Sequence, residues 1–287
     1  MKTYPSHLRH KRTYSGGMFL LLVRVAIAPL IVVVATLIQR RYGNDIGGLV
    51  IGLPLASLPL LWLVALEHGS SFASSMSGAI LVGASAQVVV IWMYALLAPR
   101  ISPLLALAGA VCSFVITIAA LNLLDLSVLL ASFLATGGFA VALYWWPYSE
   151  TSTQESGRYR FMLRIIISAG FTLFLVTVAG RIGPGFAGLI AALPMMSLVM
   201  AFVTHRELGA NASAQFLHGV TKGSFSYVAS MLVLAELLRT GSVGTAFLAA
   251  IGVALVVQLA VQSLDTFPNI RRAINAPLVT LKYSLKN

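Results

Sequence analysis

Charge is what this chain has least of. Only 9% of its 287 residues are Asp, Glu, Lys or Arg, against about 25% in a soluble globular domain. Too few charges are present to coat a water-facing surface, which excludes a soluble enzyme or a soluble nucleic-acid-binding domain. Cysteine is reduced to one, Cys112, so no disulfide framework exists. The five histidines, His7, His10, His68, His205 and His218, lack HExxH or any paired ligand spacing, and neither a metal nor a cofactor is indicated. There is no Walker loop, no GxGxxG entering a helix after a strand and no Ser-His-Asp pattern. An intramembrane hydrolase or lipid transferase would need buried Arg, His and Glu, and nothing in their spacing favours it. The expectation is a protein that is not an enzyme.

What is there is hydrocarbon. Hydrophobic residues make up 59% of the chain and mean hydropathy is +0.92. Runs such as Met18 to Ile38, Met76 to Ala98, Pro103 to Leu124 and Val128 to Trp146 each approach the roughly 20 residues that cross a hydrocarbon core as helix. The pattern predicts nine spans, at 18–38, 47–66, 76–98, 103–124, 128–146, 161–179, 186–203, 216–238 and 243–264. The first is too long for a signal-peptide h-region and is read as a mature helix. Residues 1–17 form a basic tail with Lys2, Arg9, Lys11 and Arg12, read as a topology determinant against anionic headgroups. The formal charge of +11 follows from such loop and tail cations and is no evidence for nucleic acid. The Ser/Thr/Glu-rich stretch 147–160 divides the chain into two transmembrane parts, 18–146 and 161–264, and the tail 265–287 is too polar to span.

Sliding the second part onto the first by 140 residues gives a duplication. Arg24, Arg41, Gly43, Gly48, Leu49, Leu53, Pro54, Ser57, Leu58, Glu67 and Gly69 fall on Arg164, Arg181, Gly183, Gly188, Leu189, Leu193, Pro194, Ser197, Leu198, Glu207 and Gly209. With Ile27 on Ile167 these are 12 identities in the 46 positions 24–69, and eight of them are Arg, Glu, Gly, Pro or Ser. Shared leucine content cannot produce that. Five spans separate Arg24 from Arg164, an odd number, so the copies should cross the membrane in opposite directions. Inverted repeats are a recurring plan of secondary transporters, with the substrate site near mid-membrane where the repeats meet; a duplication that merely enlarges the bundle is the alternative.

The matched residues are the candidate site. Pro54 and Pro194 each remove a backbone donor inside an apolar helix and should kink or partly unwind it. Ser57 and Ser197, three residues on, then face either a polar solute or their own backbone. Gly48 and Gly52, with Gly188 and Ala192, supply small faces for close helix contact. Arg24 and Arg164 lie inside their runs and either contact an anionic substrate or snorkel to the interface. Glu67 and Glu207 fall where the second and seventh spans emerge, and either carry the coupling ion or cap the interface. His218, Lys222 and Ser226, spaced four apart, share one helical face. They have no counterpart in the first copy, where Gly78, Val82 and Ala86 stand. A lysine at membrane depth must face a cavity or a partner.

The segments GGLVIGLPLAS and AGLIAALPMMS resemble the small GlpM-like bacterial inner-membrane proteins, short chains of about four helices whose early helix carries a similar GL-x3-LP segment. The resemblance implies a multi-pass protein of a bacterial inner membrane; two copies and the longer tails depart from that family's pattern. The expected architecture is an all-α polytopic bundle of about nine spans. The expected function is secondary transport of a small polar or anionic solute or a lipid-linked group, driven by an ion or solute gradient or by a partner protein. The alternative is a non-transporting membrane subunit that assists envelope lipid or polysaccharide biosynthesis. Besides the bilayer and the substrate, a second copy or a membrane subunit stands open as partner. The first helix places the amino terminus in the cytoplasm and, with nine spans, the carboxyl tail on the opposite face, although Arg271, Arg272, Lys282 and Lys286 in that tail oppose it.

Overall fold

A computed structural model of the chain describes residues 37–124, 126–147 and 191–266, together with residues 30, 33, 34 and 185. The described part is all-helical. Helices α1 (Asn44–Gly52), α2 (Ser57–His68), α3 (Ser70–Leu97), α4 (Pro103–Asn122) and α5 (Val128–Tyr144) precede the linker, and α6 (Met195–Leu208), α7 (Ala210–Thr240) and α8 (Val243–Thr266) follow it. The expected span at 161–179 lies outside the described residues, as do most of 18–38 and the stretch 186–190 at the start of 186–203. Among the described residues four stretches are long and apolar enough to cross a membrane: Asn44–His68, Ser70–Leu97, Pro103–Asn122 and Val243–Leu264. Helix α5 is shorter. Helix α7, at 31 residues, has ample length, but its buried residues include Lys222, Thr221 and four serines.

Large apolar side chains cover the outside of the bundle as well as its core, and a set of polar side chains is buried within. Leu104, Ile116, Phe133, Val141, Leu248, Val256 and Leu259 stand exposed on α4, α5 and α8, while Gln87, Thr204, Ser213, Ser224 and Lys222 are buried. Exposed apolar area on this scale needs a hydrocarbon environment, and the helices satisfy their own backbone groups as such an environment requires. This is a membrane-embedded protein. Buried hydroxyls either fold back, as Thr221 to the Leu217 carbonyl and Ser224 to the Val220 carbonyl, or join helices. Ser74 of α3 donates to the Ala235 carbonyl of α7 at 2.7 Å, Ser85 of α3 to the Ala131 carbonyl of α5 at 3.1 Å, and Ser213 of α7 to the Ala201 carbonyl of α6 at 2.8 Å. Such bonds hold helices together where no hydrophobic force drives them.

The span expected over 47–66 falls within the single apolar stretch Asn44–His68, which is built of two helices, α1 and α2, parted at the expected proline. Residues 53–56 leave helical geometry because Pro54 offers no N–H to the preceding turn. At the matching place Leu193 accepts from Met195 N at 2.7 Å and Pro194 sits at φ −79°, ψ 56°, the geometry of an inverse γ-turn. Each broken helix closes on a glycine of positive φ, Gly69 at φ 88°, ψ 165° and Gly209 at φ 88°, ψ 174°. That is a region other residues rarely enter, and each glycine opens a long helix. Those long helices, α3 and α7, pack against one another. Around them the contacts are matched: α2 on α3 as α6 on α7, α4 on α3 as α8 on α7, and α4 on α6 as α8 on α2. Helix α5 is the addition, lying against both α3 and α7.

Candidate functional site

Helix α1 meets α7 closer than side chains allow. A Cβ added at Gly48 would collide with the Phe216 carbonyl, and one at Gly219 with the Asp45 carbonyl; at Gly52 and Gly223 it would meet the opposing glycine's Cα at 2.9 and 2.8 Å. The small residues anticipated on α1 therefore face glycines of α7. This backbone approach sets the distance from which Asp45, on the first turn of α1, reaches across to α7.

Asp45 lies between two α7 side chains one turn apart. Its Oδ1 is 2.7 Å from His218 Nδ1 and its Oδ2 accepts from Lys222 Nζ at 3.0 Å. An ionised carboxylate only accepts, so the contact with His218 requires a proton on Nδ1. The lysine side chain is 10% accessible, the histidine 32% and the aspartate 42%. The ammonium thus forms the floor of the cluster and the carboxylate its mouth. Trp146, at the end of α5, lays its ring beside His218 with 5.5 Å between centroids. On the other side of Asp45, Gln39 donates to Asn44 at 2.8 Å and to Thr204 of α6 at 3.2 Å, which ties the start of α1 to the second half of the chain.

The anticipated residues converge on α7 to different degrees. His218 and Lys222 share one partner. Ser226, next on the stripe, turns to α8, its Oγ 2.9 Å from Gln258 Oε1. Ser57 shares a hydrogen bond with the Tyr227 hydroxyl and so reaches α7 from the break in its own helix. Pro54, Pro194 and Ser197 are buried, Pro194 capping and Ser197 within α6, which packs on α7. Glu67 is exposed and Glu207 half-buried, each two residues before the glycine that ends its helix. Arg24 and Arg164 lie outside the described residues. Among those residues no group of three His, Cys, Asp or Glu could hold a metal.

Asp45 escaped the sequence reading, though a signal existed. It is the only carboxylate in the first 66 residues, and the residue 140 positions along is Gly185. Attention to what the copies share passes over it, because the cluster is built from residues that break the repeat. Asp45 lies before the 147–160 stretch and His218 and Lys222 after it. No family model, curated protein or solved structure matches the chain.

Proposed function

We propose that this is a secondary transporter or permease of a bacterial inner membrane, acting on a small polar or anionic solute or a lipid-linked group. One observation carries the reading: a nearly buried ammonium, Lys222, held by a carboxylate that is itself accessible, at the meeting of a broken helix with the central helix. Ionisable side chains at membrane depth are costly and mark substrate or ion pathways, and broken helices supply polar backbone where such sites form. An inverted repeat of about nine spans belongs to the same reading. It is supported by the common conformation of Gly69 and Gly209, by breaks at Leu53-Pro54 and Leu193-Pro194, and by the exchanged packing of α4 on α6 and α8 on α2. The GlpM-like resemblance is consistent with this placement. The close backbone contact of α1 with α7 favours the second reading, a rigid membrane subunit assisting envelope biosynthesis.

Transport is tested on the full chain in proteoliposomes with radiolabelled glycerol, alanine, succinate and inorganic phosphate, and in a separate arm with a fluorescent phospholipid for translocation. Uptake or translocation of at least one probe above protein-free vesicles, lost in Lys222→Met, is the expected result. Vesicles that move none of them leave the rigid subunit as the reading. The repeat is tested by reporters placed after Met1 and at Asn287: opposite sides are expected, and both ends on one side would mean an even number of spans and no inversion of this kind.

A further inference from the structure

The cluster around Lys222 contains a donor that nothing in the described structure answers. Trp146 is 6% exposed, its Nε1 has no acceptor, and its ring lies beside that of His218. An indole nitrogen only donates, and a buried donor left unmade costs about 1–3 kcal/mol. Such groups are rare in native proteins and each calls for a reason. Its ring neighbours the His218 imidazole, which shares the Asp45 carboxylate with the Lys222 ammonium, a group of three donors.

We infer that the corner formed by Lys222, His218 and Trp146 binds an oxyanion, a phosphate or carboxylate group, in competition with Asp45. The inference deepens the transport reading and rests on the site it names. The accessibility gradient gives the direction of entry, because Asp45 at the mouth is 42% accessible and Lys222 at the floor 10%. Asp45 holds the Lys222 ammonium at 3.0 Å and offsets part of the cost of burying it. An arriving oxyanion takes the ammonium and the Trp146 N–H, while Asp45 keeps its contact with His218 and gives up Nζ. No atom of the protein changes covalent state. A free solute and a lipid headgroup present the same oxygens, so the chemistry is one and the source is a matter for experiment.

The test uses the full-length protein in phosphatidylcholine nanodiscs, titrated with inorganic phosphate and with succinate at constant ionic strength, and read by thermal melting and tryptophan fluorescence. A parallel arm replaces added anion with phosphatidylglycerol in the disc. The expected result is a concentration-dependent rise in melting temperature. Binding should be about tenfold tighter in Asp45→Asn, which removes the competitor, and about tenfold weaker in Trp146→Phe, which keeps the ring and deletes one charge-assisted bond. Lys222→Met should abolish the response, and Trp146→Phe carries the test alone should Lys222→Met fail to fold. Stabilisation only in the phosphatidylglycerol discs, with the same dependence on Trp146, assigns the oxyanion to a headgroup. No response to phosphate, succinate or phosphatidylglycerol in either wild type or Asp45→Asn overturns the site, and so does binding that Trp146→Phe leaves unchanged. Binding without uptake in proteoliposomes would retire transport and keep the site. Uptake of glycerol or alanine without oxyanion binding would do the reverse.

Discussion

Gly219→Ala should be among the most damaging single-methyl changes available in this protein, costing about 3 kcal/mol, the upper end of what overpacking does. The added Cβ would fall on the Asp45 carbonyl and crowd Leu49 N. Both are backbone, so no rotamer change relieves the clash and α1 must move off α7. Gly48→Ala, opposed by the Phe216 carbonyl, should behave alike. Gly137 and Gly252 are the controls. They too are helical, but nothing lies within 4 Å of an added Cβ, so alanine there should be neutral or should gain about 0.5–1 kcal/mol from the glycine's lost backbone freedom. Thermal melts of the four variants in one detergent check this. A Gly219→Ala curve coincident with that of wild type would mean that the two helices do not approach as described.

Neutralising the ion pair from its two ends should have unequal effects. Asp45→Asn leaves the Lys222 ammonium, 10% accessible, opposite an amide in place of a carboxylate. Breaking a fully buried pair costs roughly 3–5 kcal/mol; with Asp45 42% accessible, water screens part of the loss and about 2 kcal/mol is expected. Lys222→Met leaves the negative charge at the accessible end and fills the floor with an apolar chain of similar length. The expected cost there is under about 1 kcal/mol. Melts at one pH and salt concentration compare the two directly. Equal losses would show that both charges are equally well solvated and that the gradient of accessibility is not functional.

The broad class was legible in the sequence because hydrocarbon runs and the scarcity of charge are statements about solvent, and solvent fixes which residues face outward. The breaks at Pro54 and Pro194 were legible for an equally local reason, the missing N–H. The His218, Lys222 and Ser226 stripe was legible from helical spacing alone. Its partner was not, since nothing local connects Asp45 with residues 173 and 177 positions away. What joins them is the glycine-to-glycine contact of α1 and α7, and glycines announce close approach without naming what they approach. Ser226 shows the limit of a shared face: it lies on the stripe, yet its hydroxyl contacts Gln258 of α8.

The central claim is that Lys222 and Asp45 are kept for function and not as structural glue, and the doubly neutralised Asp45→Asn, Lys222→Met chain tests it most directly. Removing both charges removes the pair as a unit, and exchanging such a pair for uncharged groups is often neutral or stabilising. Measured in the same nanodiscs and proteoliposomes, the double variant is expected to melt at or above the wild-type temperature. It should fail to respond to phosphate or succinate and fail to move any probe that wild type moves. A double variant that binds and transports like wild type would contradict the account.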